Sequence, residues 1–238
     1  MIAELIFNGV DLTPLLKVEA IRRPFIPPSK YLTNQSIKGY DRFYKRQLKS
    51  YTIEADVRLI KSSRTNLKEV VESIRSVLYT KEPAKIQLRD EPSRYNIGIC
   101  SADSIEYFLR TGFSTLEFYC FEPFLFSDTE KKANVGNSEI TVENKGLHDA
   151  EPVITVTGAT GNNIRIDNVT TGEYILLLHN FVANDQIVFD CKKEEVKINN
   201  TERLKSLDYR SDFFVLKKGS NKLKCSNGSA IIKYRERW

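Results

Sequence analysis

Histidine, methionine and tryptophan are nearly missing from this 238-residue chain, which holds two His, one Met and one Trp. Nucleophilic catalysis by Ser or Cys needs a histidine base. His148 follows Gly146-Leu147 in turn-like sequence, His179 ends a β-prone run, and neither sits in a nucleophile-elbow or cysteine-protease context. The four cysteines, Cys100, Cys120, Cys191 and Cys225, are scattered without CxxC spacing. That spacing excludes a clustered zinc site and a disulfide framework, and buried free thiols are the reading that remains. No GxxxxGK or GxGxxG occurs, so phosphate-loop and dinucleotide chemistry drop out, and no cofactor or metal is expected. No apolar run approaches the roughly 20 residues that span a bilayer, so no membrane insertion is expected. At the start, Glu4 stands where a secretory signal would be basic and Asn8-Gly9 interrupts the apolar run, so a strand is expected there. Without secretion, the sequons at Asn34, Asn168, Asn199 and Asn227 carry no meaning.

What is present is mostly strand pattern. Leu5-Ile6-Phe7, Asn8-Gly9 and Val10-Asp11-Leu12 form a hairpin signal, because the turn needs positive φ at both central residues and Asn-Gly tolerates it. A strand through Leu16, Val18 and Ala20 follows, after which Pro24, Pro27 and Pro28 predict an extended loop. From Tyr51 to Leu59 apolar and polar residues alternate strictly, the mark of a half-buried strand. Between Ser63 and Tyr79 the period turns helical, with Leu67, Val70, Val71, Ile74, Val77 and Leu78 on one face, and Pro83 stops it. Further strands are expected at 85–89, 95–101, 104–109 and 115–121, which makes the first domain α+β: a sandwich- or barrel-like sheet with one helix and a long hairpin loop.

From Ser127 to Ser138 the chain turns polar and aperiodic. A linker is expected at 131–138, between a first domain over 1–130 and a second over 139–238. Beyond it, short β-prone runs recur between Gly and Asn turns, at 140–142, 153–156, 164–166, 174–178, 187–189, 196–198, 213–216 and 230–234. That spacing without a helix predicts a β-sandwich or jelly roll, so the whole chain reads as mostly β. Asp90 with Glu91, or Asp185 with Asp190, could be imagined as a paired-carboxylate glycosidase site, but turn-forming acids are the expectation.

One segment concentrates charge. From Arg22 to Lys49 eight basic residues stand against Asp41 alone, a local net of +7 that exceeds the whole-chain +5. Phe25, Tyr31, Tyr40, Phe43 and Tyr44 are interleaved with them. Cations tracking phosphates while rings stack on bases would suit a single-strand nucleic-acid binder. No recognition helix or aromatic RNP pattern accompanies them, however. Rings and Arg also dominate protein interfaces, so Phe25, Tyr31, Tyr40, Arg42, Phe43, Tyr44 and Arg46 are candidate interface residues, with a plain solvated loop as the third reading.

Ordered motifs then point to a family. The opening Asn8-Gly9 hairpin with Asp11, the long loop, the single helix, Leu88-Arg89-Asp90-Glu91-Pro92 with Tyr95, and Glu122-Pro123-Phe124 come in sequence. They are followed by Glu151-Pro152-Val153-Ile154-Thr155-Val156-Thr157-Gly158, Ile164-Arg165-Ile166, 185–190 and 213–221. In this order they resemble the distal tail protein (Dit) family of long-tailed, siphovirus-type bacteriophages, or a prophage copy of such a protein. The resemblance implies a non-enzymatic virion protein at the tail tip, made in the bacterial host cytoplasm. It implies a homo-hexameric ring, a baseplate hub joining the tail-tube protein to the tail-tip or tail-associated protein. The second domain would be galectin-like or carbohydrate-module-like, and host attachment would involve receptor-binding proteins or host-surface glycan. Passing genomic DNA would touch such a ring only non-specifically.

Two other readings stand beside it. A carbohydrate-binding β-sandwich module for cell-surface attachment would need an exposed aromatic platform, and the only tryptophan is the terminal Trp238. A cell-wall hydrolase would need two carboxylates in one cleft.

Overall fold

The computed structural model describes residues 4–35, 41–60, 67–102 and 112–238. The chain forms two compact units, Met1–Leu125 and Phe126–Trp238. In the first unit the strands are β1 (Leu5–Phe7), β2 (Val10–Asp11), β3 (Leu16–Arg22), β4 (Ser29–Gln35), β5 (Asp41–Leu48), β6 (Tyr51–Leu59), β7 (Ala84–Leu88), β8 (Arg94–Ala102) and β9 (Phe113–Cys120), with the helix α1 over Leu67–Leu78. Its main sheet is antiparallel in the order β2-β1-β7-β8-β9-β6-β3, while β4 and β5 pair only with each other.

Alternation decides which face is buried. Along β6, Tyr51, Ile53, Ala55, Val57 and Leu59 point inward, and along β9 Leu116, Phe118 and Cys120 do the same. Val71, Ile74 and Leu78 of α1 join that core, so the helix packs its apolar stripe on one face of the sheet. Each large side chain buried there contributes roughly 1.5–3 kcal/mol. At the opening hairpin, Asn8 and Gly9 adopt φ of 50° and 80°, the conformation for which that dipeptide was singled out. The strand expected at 104–109 and the expected helix start at 63–66 lie outside the described residues.

The second unit is a β-sandwich. Its strands are β10 (Phe126–Ser127), β11 (Lys131–Val135), β12 (Ile140–Asn144), β13 (Val153–Thr157), β14 (Gly161–Asn168), β15 (Glu173–Phe181), β16 (Ile187–Asp190), β17 (Glu195–Ile198), β18 (Thr201–Glu202), β19 (Gly219–Cys225) and β20 (Ser229–Tyr234). One sheet runs β11-β20-β13-β16-β17-β18 and the other β12-β19-β14-β15. Ile154, Phe189 and Ile232 from the first meet Ile166, Leu177 and Leu223 from the second in a single core.

Two local expectations are corrected. The stretch expected as a linker at 131–138 contains β11, which pairs with β20 from Lys131↔Tyr234 to Val135↔Ala230. Its side chains are polar because only Val135 turns fully into the core. The run Phe213–Leu216 is not a regular strand but a single bridge at Ala150↔Leu216. Side-chain amides take the place of a ladder there: Asn168 Nδ2 donates to Val215 O at 3.2 Å and Asn144 Nδ2 to Leu216 O at 3.0 Å. The strand instead starts at Gly219, where alternation in Leu223 and Cys225 was masked by intervening lysines. Among the described residues, no helix is long and apolar enough to cross a membrane.

Candidate assembly interface

The three prolines of the basic, aromatic segment, Pro24, Pro27 and Pro28, all lie at its start, so no ladder donor is lost after Pro28. The extended loop expected here is therefore a two-stranded ribbon of β4 and β5, paired from Ser29↔Leu48 to Gln35↔Asp41 with a bulge between Leu32 and Thr33. Tyr31, Thr33, Phe43 and Tyr44 are β-formers. An isolated two-stranded ribbon is marginal in water, so the contacts that brace it matter. Lys49 N donates to Pro28 O at 2.8 Å and closes the base. Arg46 Nε donates to Ser29 Oγ at 2.6 Å and its Nη2 to Pro27 O at 3.4 Å. On the same ribbon the Tyr31 and Phe43 rings lie 6.3 Å apart.

The rings are nevertheless open to solvent. Tyr31, Phe43 and Tyr44 are 61%, 66% and 67% exposed, and Phe25 at the approach to the ribbon is fully exposed. Of the candidate interface residues, Tyr31, Phe43, Tyr44 and Arg46 therefore come together on the ribbon with Phe25 near its base. Arg42 contributes backbone to β5 opposite Asn34. Tyr40 lies outside the described residues.

The charge of the segment is smaller at the ribbon than the sequence count. Arg22 ends β3 and donates from Nε to Glu54 at 2.8 Å and from Nη2 to Asp56 at 2.8 Å. The Asp56 carboxyl is held below its ordinary value by that guanidinium and then by Thr115, whose hydroxyl donates to it at 2.7 Å. Arg23 pairs with Asp90. These partners lie 32 to 67 positions away along the chain, beyond any local reading. The exposed Lys30, Lys45 and Lys49 remain on the ribbon or at its base, with no ion pair among the described residues.

The acids weighed as catalytic pairs have structural tasks. Besides Asp90, Glu91 pairs with Arg94 at 3.4 Å. Asp185 accepts Val182 N at 2.9 Å and Asn199 Nδ2 at 2.8 Å, which lowers its pKa. Asp190 accepts Lys192 N and Lys193 N in a turn. His179 packs its edge against Phe181 with centroids 5.2 Å apart. All four cysteines are free; burial pushes the Cys100 and Cys120 thiols up to about 12 and Cys191 higher, which makes them poor nucleophiles. Among the described residues no group of three or more His, Cys, Asp or Glu is placed to hold a metal.

Two aromatic residues of the second unit are covered at least in part. On the outer face of the β12-β19-β14-β15 sheet, the Arg165 guanidinium lies 3.8 Å from the centroid of Tyr174, so the ring is already covered by protein. Trp238 is half-buried.

Comparison with known proteins follows the same division. Residues 145–238 match the family described as siphovirus-type tail component, C-terminal domain, and residues 10–120 match the phage tail protein RIFT-related domain. The crystal structure of the Dit protein of phage SPP1, described as a paradigm of hub adsorption apparatus in Gram-positive infecting phages, superposes with a TM-score of 0.80 at 20% identity. That match covers 99% of this chain and 98% of the SPP1 protein. A chain of the phage P2 baseplate, in its activated conformation with Ca, gives a TM-score of 0.54 at 12% identity over 95% of this chain and 92% of its own. The same baseplate with Sr gives 0.55 at 11% over the same shares. No curated protein sequence matches the chain.

Proposed function

Since the chain belongs to the siphovirus-type distal tail (Dit) family, we propose that it is a non-enzymatic hub component that assembles into a six-fold ring at the virion tail tip. The ring would join the tail-tube protein on one side to the tail-tip protein on the other and support host adsorption. The observation that carries this reading is the β4–β5 ribbon, whose Tyr31, Phe43 and Tyr44 stay solvent-exposed although the core beside them is closed. A closed ring is built from heterologous contacts, in which two different surfaces of one protomer are complementary. A braced ribbon tipped with rings and cations suits one of those surfaces, because aromatic and Arg side chains supply most interface energy.

Native mass spectrometry or light scattering on the full chain tests it. The expected species is six times the 27.4 kDa protomer. Replacing Phe43→Ala and Tyr44→Ala together is expected to dissolve it while both units keep their melting behaviour. A stable hexamer in that double variant would remove the ribbon from the interface; a chain that never exceeds monomer mass would remove the ring.

A further inference from the structure

Asn-Gly occurs twice in the chain, as Asn8-Gly9 in the first unit and Asn227-Gly228 in the second. Glycine has no side chain to screen its amide nitrogen. That nitrogen can attack the side-chain carbonyl carbon of the preceding Asn, expel ammonia and close a succinimide, which water then opens to Asp or isoAsp. One C–N bond forms as another breaks, and water is the only co-reactant. The two sites differ in what holds the amide. Asn227 Nδ2 donates to Thr160 O at 2.6 Å and to Asn163 O at 3.1 Å, and its Oδ1 accepts Thr160 N at 3.3 Å. Gly228 is walled in as well, since a Cβ there would lie 2.6 Å from Thr157 O. Attack on Asn227 must therefore break every one of those side-chain bonds.

The opening turn is the converse. Asn8 and Gly9 are exposed, a Cβ on Gly9 would meet nothing within 4 Å, and among the described residues nothing bonds the Asn8 side chain. Ring closure requires Asn8 to leave its left-handed conformation, so the turn must open first. Only the pairs Ile6↔Asp11 and Phe7↔Val10 tie β2 to β1, β2 ends the sheet, and both of its residues are exposed, so opening is local and cheap. We propose that Asn8 is a spontaneous deamidation site and Asn227 is not, which gives the first unit a chemical clock that the second lacks. Either product adds a negative charge, and isoAsp also adds a methylene to the backbone between Phe7 and Gly9. Leu5 and Phe7 are fully buried and Asn8 N donates to Lys85 O at 2.9 Å, so the lengthened backbone pulls against the register that seats them.

Peptide mapping by mass spectrometry tests it on the full chain aged at mildly alkaline pH, with electron-transfer fragmentation to tell isoAsp from Asp. In the folded chain, conversion at Asn8 is expected to run about tenfold or more faster than at Asn227, whose amide bonds must break first. In urea, where neither site is held, the two rates are expected to converge. Conversion of Asn8 no faster than that of Asn227 in the folded chain overturns the proposal. A difference of the same size in urea overturns it too, since local sequence and not structure would then set the rates. Hydrogen exchange at residues 5–12 is expected to be faster in the isoAsp-bearing fraction than in fresh protein, while residues 153–168 of the second unit stay unchanged. Equal exchange at 5–12 in the two fractions would overturn the effect on the first unit.

Discussion

In the second unit two sheets face each other across one core, whereas in the first a single sheet is backed by α1 on one face and carries open aromatic rings on the other. Among the large aromatic residues that are described, the first unit exposes Phe25, Tyr31, Phe43, Tyr44, Tyr79, Phe113, Tyr119 and Phe121, and the second exposes Tyr209. Each unit nevertheless has its own core of fully buried apolar side chains. The difference therefore does not come from poor packing. A sandwich hides both inner faces in itself, whereas a sheet with one covered face keeps the other open to solvent.

Core truncation should show the units to be equals, with the largest effects. Phe118→Ala in the first and Phe189→Ala in the second each remove a fully buried ring. Each is expected to cost about 3–5 kcal/mol in denaturant unfolding, and a clearly smaller loss in either would mean that its core collapses around the cavity. Alkaline titration sharpens the comparison next. Burial raises Tyr51, Cys100 and Cys120 of the first unit to about 12, above their ordinary values. The folded state thus prefers their protonated forms, so their stabilisation is complete below about pH 8.5 and declines as pH climbs toward 12. The expected loss is on the order of 2–4 kcal/mol per group at the end of that range. A urea midpoint for the first unit that stays flat from pH 8 to 11 would contradict it.

Buried amides give a third, smaller test. Asn96 Nδ2 donates to the Tyr51 hydroxyl at 2.7 Å and to Phe124 O at 3.0 Å in the first unit. Asn144 donates to His148 O at 2.9 Å and Leu216 O at 3.0 Å, and accepts Gly146 N at 3.0 Å, in the second. Replacement of either by Ala leaves buried partners unmet at about 1–3 kcal/mol, with Asn144→Ala expected to cost more because it holds three groups. Thermal denaturation ranks the two variants. Smallest of all, Arg46→Ala should loosen only the ribbon by about 0.5–1.5 kcal/mol. Hydrogen exchange at residues 29–48 should then speed up while amides of the second unit stay unchanged.

How much of this was legible in the sequence depends on how far each residue's partner lies along the chain. The alternation from Tyr51 to Leu59, the Asn8-Gly9 turn and the helical period through Leu78 are short-range signals, and the structure bears them out. The ribbon looks like loop in the sequence because three prolines open its segment, although they end at Pro28, before the first pair. β11 was read as linker because one inward residue, Val135, is too little periodicity to register. Of the candidate residues, the exposed rings were legible as a cluster of aromatics among cations, whereas the bracing role of Arg46 was not, since its acceptors lie 17 and 19 positions away.

The sequence by itself determined the mostly β character, the amphipathic helix that ends before Pro83 and the concentration of rings and cations between Arg22 and Lys49. Those follow from residue type and local period, which act over a few positions. Only the tertiary structure decided which of those cations are spent on Glu54, Asp56 and Asp90, which rings remain in water, and that Glu117 lies opposite Glu54. Strand pairing brings such residues together across tens of positions, and register, not composition, sets which charges meet.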